Sequence, residues 1–346
     1  MKIIQLLLTL FSFTIYIYAE GSSSKHWYRG NTHTHTTKCN HADSSPDFVA
    51  QWYHDHNYNF LVLSEHNYFI DPKTVTIKDQ RDDFILVPGI ELTEKVHSTA
   101  LNVKELVKRK SYPKGTSIKE MIQSHVDRIN DKGGECILNH PNFKWTVVKE
   151  DLLGIKNLPL FELFNGHPHV HSHGDEHHPS TEAMWDFLLS KGIILYGVSS
   201  DDAHHFQAKN ISPKKSNPGR GWVMVGAKSL TPDAITESLK KGEFYASNGV
   251  FLDICDREGA YSVSIDREAT LSELKSPLLR GKKVQEGELG FKIEWISKNG
   301  KVLRTSKNLT DQYSDKFDTY LRAKITYTRK FSGGLEEFYA WTQPKF

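Results

Sequence analysis

Nine residues of metal-ligating type occupy short motifs in the first two-thirds of the chain. They are His33 and His35 in a His-x-His pair with His41 close behind, His66 in Ser-Glu-His-Asn, Glu91 in Pro-Gly-Ile-Glu with His97 downstream, His140 in Asn-His-Pro, and Asp202 with His204 in Asp-Ala-His. Each follows, or nearly follows, a short apolar run that reads as a strand. Strand ends in a closed βα structure converge on one face, so residues distant in sequence would meet in one pocket. Imidazole and carboxylate together are the ligand set of zinc, manganese and iron. The sequence offers no Gly-x-Ser-x-Gly motif and no Cys-His pair suited to covalent attack. A cation bound without a protein nucleophile beside it can act through an activated water.

The elements that must position these residues alternate. Asn31 to Thr36 ends a first strand. Ser45-Pro46 is a helix start, a capping serine with proline at the first helical position. Phe60 to Leu63 and Phe84 to Val87 read as buried strands. Ser117-Ile-Lys-Glu120 is a capping box, and Ile118, Met121, Ile122, Val126 and Ile129 line one helix face. Strands follow at Cys136 to Leu138, Leu160 to Phe164 and Ile193 to Val198, the last after a helix around Met184 to Leu189. Trp222 to Val225 is a further strand, and Thr231-Pro232 starts a helix that Gly242 ends. This rhythm predicts a parallel α/β fold, a barrel. Beyond about Ser247 the pattern alternates residue by residue, as in Tyr261 to Ile265, Phe291 to Trp295 and Tyr320 to Ile325. That is the signature of a small antiparallel β-sandwich.

The bulk properties exclude several classes. The 346 residues can bury a full core and leave room for two domains. A formal charge of +2 gives no electrostatic case for nucleic-acid binding. Lys2 and the apolar stretch Ile3 to Ile17, ending in Ile17-Tyr-Ala19, read as a signal peptide over residues 1–19. No other segment is apolar enough to span a bilayer. Three cysteines, Cys39, Cys136 and Cys255, do not make a disulfide scaffold. Cys39 lies between His35 and His41 and could touch a metal, but the preferred reading is a small buried residue. The 18 histidines are the unusual count.

The ordered set of metal motifs resembles the polymerase and histidinol phosphatase (PHP) superfamily of metal-dependent phosphoesterases, over about Trp27 to Val225. The resemblance implies a distorted (βα)7 barrel with a trinuclear site at the strand ends. It places the barrel in residues 26–246 and leaves 247–346 for the sandwich. His33, His35 and Asp202 are then ligands of one cation. Glu91 bridges it to a second, completed by His97 and His140. His41, His66 and His204 hold a third. Zinc, manganese and iron all remain open as the three divalent ions. Gly242 to Gly249, Tyr320-Leu-Arg322 and Ala340 to Pro344 resemble the tail of an exported branch that includes carbaryl-hydrolase-like metallohydrolases.

The expected activity is hydrolysis of a small-molecule phosphate mono- or diester in a secreted or periplasmic setting. Glu91 and Asp202 are the catalytic carboxylates. A carboxylic or carbamate ester hydrolase is the alternative, and a non-catalytic zinc-binding protein the second. Arg220, in the glycine-rich Pro-Gly-Arg-Gly-Trp222, either neutralises a phosphate oxygen or is a solvated surface arginine. Lys38 is a weaker candidate for that charge. Glu65 is expected to orient an imidazole, and Glu162 and Asn165 to line the pocket or support its ligands. His125 reads as a packed helix histidine. The run of imidazoles from His167 to His178 either delivers zinc, covers the site, or is a solvated loop with adventitious metal affinity.

Overall fold

The computed structural model describes residues 25–256, 260–275, 285–331 and 334–346. The expected signal peptide lies outside them. The first part of the chain runs β1 (His26–Asn31), α1 (Pro46–Asp55), β2 (Phe60–Val62), β3 (Ile85–Val87), β4 (Gly89–Thr93), β5 (His97–Leu101), α2 (Ile118–Asn130), β6 (Glu135–Leu138), β7 (Leu160–Asn165), α3 (Thr181–Ser190), β8 (Tyr196–Ser200), β9 (Trp222–Ala227), α4 (Pro232–Lys240) and β10 (Phe244–Ser247). It continues with β11 (Phe251–Asp256), β12 (Tyr261–Asp266), α5 (Arg267–Glu273), β13 (Gln285–Ser297), β14 (Lys301–Ser306), β15 (Thr310–Tyr313), β16 (Arg322–Phe331) and β17 (Gly334–Thr342). The helix starts follow local chemistry. Ser45 caps α1 ahead of Pro46, Ser117 and Glu120 cap α2 reciprocally, and Thr231 caps α4 ahead of Pro232.

The architecture is mixed α/β with large sheets and few helices. One nine-stranded sheet has the order β14-β13-β16-β17-β10-β9-β1-β2-β3, a five-stranded sheet runs β4 to β8, and a three-stranded sheet is β11-β12-β15. β1, β2 and β3 are mutually parallel, as are β6, β7 and β8. The wholly parallel alternation expected from the sequence is not what forms. β5 is antiparallel to both β4 and β6, and β9 is antiparallel to β1. For β4 and β5 the reason is connection length. Only Glu94 to Val96 separate β4 from β5, closed by Glu94 N–H to Val96 O at 3.2 Å, whereas a parallel return needs a dozen residues or more.

The two large sheets meet where the motifs lie. Isolated parallel bridges pair Thr34 with Ala203 and His66 with Glu91. Peptide hydrogen bonds link one motif segment to another: Ser64 N to Thr34 O (3.1 Å), Glu91 N to Glu65 O (3.0 Å), Asn139 N to His97 O (3.0 Å) and Asp202 N to His33 O (3.0 Å). Beneath them, Met121, Ile122, Val126 and Ile129 of α2 bury against Ile90, Leu92, Cys136 and Leu138.

The expected boundary at residue 247 is crossed by hydrogen bonds. β10 pairs with β9 on one side and with β17 on the other. One core cluster contains Val49, Tyr53 and Leu61 together with Trp295, Ile325 and Phe338. Within the C-terminal part, Val263 and Ile265 of the small sheet pack in that same cluster with Ile293 and Trp295 of β13. Fully buried Arg322 reaches α3, donating to Asp186 (2.8 and 2.9 Å) and Glu182 (2.9 Å). Among the described residues no helix is long and apolar enough to cross a membrane.

Candidate metal centre

Glu91, on β4, is fully buried and is met by imidazoles from all around. Its Oε1 lies 3.2 Å from His97 Nδ1, 3.2 Å from His140 Nε2 and 3.3 Å from His33 Nε2. Its Oε2 lies 3.1 Å from His66 Nδ1 and 3.8 Å from His35 Nε2. Asp202 faces the same group, its Oδ1 3.2 Å from His35 Nε2 and 3.5 Å from His33 Nε2. His204 and His41 close the outer side. The His204 ring stacks on His35 at 4.2 Å and on His41 at 4.6 Å, and His41 lies 5.0 Å from His66. All nine sequence candidates therefore stand in one contiguous cluster, although the chain spaces them over 171 residues, from 33 to 204.

The donor set is one that a cation fits. His33 Nε2 and His35 Nε2 face each other at 3.0 Å, so two lone pairs oppose unless a proton or a cation lies between them. Three further buried imidazole nitrogens, His35 Nδ1, His66 Nε2 and His204 Nε2, have no hydrogen-bond partner. Buried polar atoms are normally satisfied, and here a metal is the group that would satisfy them. Among the described residues, four groups have ligand-type atoms within 4.8 Å of one another: His33 with His35 and Glu91, Glu91 with His97 and His140, His33 with His140 and Glu162, and His35 with Cys39, His66 and His204.

Charge across the cluster is uneven. Burial opposes ionisation of His33, but Asp202, Glu162 and Glu91 outweigh it and hold the ring well above the ordinary imidazole range. Burial together with His204 and His66 holds His35 well below that range. Burial also brings His204 down to about 4. Glu91 stays ionised: burial would raise it, and the His33 and His97 charges with the His140 hydrogen bond pull it well down.

Several residues position the ligands. Glu162, at the middle of β7, accepts from His33 Nδ1 at 2.7 Å and from Ser200 Oγ through Oε1. Its Oε2 accepts from His140 N at 2.7 Å and Asn165 Nδ2 at 2.9 Å. A carboxylate on Nδ1 fixes the tautomer and leaves Nε2 as a lone pair. The Glu162 tether also holds the His140 peptide at φ 22°, while Asp202 sits at φ 49°. Both are costly for a side chain with a Cβ and belong to over-determined sites. Thr93 Oγ1 lies 2.6 Å from His66 Nδ1, and Asn139 Nδ2 donates to Glu91 Oε1 at 3.0 Å. The sequence reading gave neither residue a role. Thr93 follows Glu91 by two positions on a strand and so shares its face, which is the signal that could have found it.

The remaining candidates lie around the cluster. Glu65 accepts from the Thr36 peptide rather than from an imidazole, because successive residues of the extended segment carrying His66 point to opposite sides. Burial pushes its carboxyl up to about 7. Arg220 does not reach the cluster. Its terminal nitrogens donate to Lys215 O, Ser212 O and Asn217 Oδ1, so the guanidinium laces its own loop. Lys38 lies over the Tyr68 ring, 5.9 Å from its centroid. His125 is buried between Glu94 (2.9 Å) and Ser98 (3.0 Å), a packed histidine. In the imidazole-rich loop, His171 and His178 stack on Trp145 at 4.8 and 3.9 Å. His167 alone of that run reaches the cluster, 5.9 Å from His204.

The cavity over the cluster measures about 110 Å³ and is walled by Phe143, Val170 and His167 beside the ligands, with no lysine or arginine in its lining. A second hollow of about 320 Å³ adjoins it through His167 and is bordered by Phe164, His171, His173 and Arg220.

No family model matches the chain. No curated protein matches it. Among solved structures it is similar to a two-domain protein from Bacteroides vulgatus that contains a predicted PHP-like metal-dependent phosphoesterase, at 13% identity and a TM-score of 0.46, over 87% of this chain and 90% of that one.

Proposed function

We propose that this chain is a metal-dependent phosphoester hydrolase, exported to a secreted or periplasmic setting, whose nine motif residues hold three divalent cations. The observation that supports it is Glu91, a buried carboxylate with an imidazole against each of its oxygens and Asp202 opposite. Two oxygens on one carboxylate let it join neighbouring cations that would otherwise repel. We read the motif-bearing strand ends as the rim of a distorted seven-stranded barrel, a reading supported by the bridges between Thr34 and Ala203 and between His66 and Glu91. The leader Lys2 with Ile3 to Ile17 supports export.

Cations held here would lower the pKa of a bound water and neutralise charge on a phosphoryl group. The chain's own residues do the rest. Glu162 keeps His33 in the tautomer that presents Nε2 inward, and Thr93 lies against His66 so that its Nε2 is left for the site. Phe143 and Val170 give the cavity an apolar wall beside the ligands, and charge interactions are stronger next to such a wall than in bulk water.

A carboxylic or carbamate ester substrate is the second reading, and one observation favours it. Arg220 is tied into its loop, and the cavity lining offers no other cationic side chain for a phosphate. Phosphate release from a panel of mono- and diesters, set against turnover of aryl acetates and carbamates, separates the two. Cleavage of the carbon esters alone overturns the phosphoesterase assignment. Asp202→Ala should abolish turnover while the chain stays folded. Full activity in that variant refutes a catalytic centre at this cluster.

A further inference from the structure

The outer side of the cluster contains a donor that the nine-residue set leaves out. After β1 the chain turns sharply through a short helical turn at Thr37–Cys39, capped by Thr36 and ended by Asn40 in a left-handed conformation (φ 64°). The turn folds Cys39 back over His35. The ligand-type atoms of His35, Cys39, His66 and His204 then lie within 4.8 Å of one another. Two of these partners are more than nine-tenths buried and have an unsatisfied nitrogen there: His35 Nδ1 and His204 Nε2. His66 Nε2 is unsatisfied as well. Cys39 Sγ donates a weak hydrogen bond to Thr36 O at 3.1 Å, which ligation could replace, and the peptide N–H groups of His41 and Ala42 face the sulfur. His41, by contrast, is exposed, and its Nδ1 meets Cys39 O at 2.9 Å, so the peptide of Cys39 also anchors the imidazole expected in this place.

We propose that Cys39 is a thiolate ligand of the outermost cation, sharing it with His66 and His204 beside the free nitrogen of His35. The inference builds on the metal reading of the cluster and adds a sulfur donor to it. On metal uptake the Cys39 S–H proton leaves to solvent and a sulfur–metal bond forms, with no change of oxidation state. A set that includes a thiolate is softer than the mixed imidazole and carboxylate positions at Glu91 and Asp202, so the outer position selects zinc over manganese. It also makes the outer ion a fixed element of the wall rather than an open catalytic position.

The test uses the full chain stripped of metal and titrated with cobalt(II), a spectroscopic stand-in for zinc. Bound cobalt should produce a thiolate-to-metal charge-transfer band that Cys39→Ser lacks. Zinc should slow alkylation of Cys39 by iodoacetamide about tenfold or more, with no change at Cys255, as expected when a thiolate becomes a ligand. The alkylation arm needs no variant, so it decides even if Cys39→Ser fails to fold. Stoichiometric cobalt uptake with no such band, and Cys39 alkylated equally with and without zinc, overturns the sulfur ligand and leaves the metal centre standing. Failure of the parent chain to retain any cation overturns both.

Discussion

Replacing Glu162 by glutamine changes one atom and tests the logic of the whole cluster. All four of its close partners are donors: His33 Nδ1 and Ser200 Oγ on one oxygen, His140 N and Asn165 Nδ2 on the other. A glutamine amide must turn its NH₂ towards one of these pairs: His33 and Ser200 could answer only by becoming acceptors, and the His140 peptide and Asn165 cannot. The charged acceptor is lost in every case, so the fold should weaken by about 1.5–3 kcal/mol. If the amide nitrogen faces His33, the ring must accept there and carry its proton on Nε2, where it no longer ligates. If it faces His140, the strained peptide at φ 22° loses its tether. Either way metal affinity should fall by about 10–100-fold, the usual effect of removing a residue that orients a ligand, or about 1.4–2.7 kcal/mol. Competition against a chelator of known affinity measures the first effect, and thermal unfolding with and without metal the second. Wild-type affinity together with an unchanged unfolding midpoint would refute the reasoning, because the hydrogen-bond geometry leaves glutamine no neutral orientation.

Other outcomes follow from the same structure. Free zinc at a thousand times its dissociation constant should raise stability by about 4 kcal/mol for each site, read as a rise in the thermal midpoint that a chelator reverses. Arg322→Met should cost about 3–5 kcal/mol in urea unfolding, since it leaves Asp186 buried without its charge partner. Burial works against ionisation of Glu182, but Arg322 and Lys324 hold its carboxyl at about 2. Its stabilisation is therefore complete above the unfolded carboxylate value of about 4.3 and is lost as pH falls towards that folded value. Glu182→Gln should accordingly lower the midpoint at pH 7 and flatten its decline between about pH 4 and 2. Trp145→Ala removes the ring on which His171 and His178 stack, and should speed proteolytic cutting within 167–178 in a time course resolved by mass spectrometry.

The ligand types were legible because metal chemistry admits few residues, and His-x-His, Asn-His-Pro and Asp-Ala-His keep theirs in short frames. The helices were legible for a local reason: Ser45-Pro46, Ser117 with Glu120, and Thr231-Pro232 carry their caps within four residues. Strand direction was not. A buried run such as Phe60–Val62 has the same composition whether its neighbour runs with it or against it, and only the brief link at Glu94 to Val96 hints that β5 doubles back. Pairings across long separations were equally hidden. Glu162 meets His33 from 129 positions away, and nothing near either residue announces the other. The glycine-rich setting of Arg220 left two readings open, and the three oxygens of its own loop that hold the guanidinium become visible only once Ser212, Lys215 and Asn217 are folded around it.

The sheet that runs unbroken from β3 to β14 ties the order of synthesis to the order of assembly. β10 leaves the ribosome nearly a hundred residues before β17, the strand that covers its open side. Until then its backbone amides and carbonyls stand ready to recruit a neighbour, the circumstance in which nascent chains stick to one another. A version cut after residue 247 would keep that bare flank permanently. Its expected fate is clumping in the test tube rather than a smaller working enzyme.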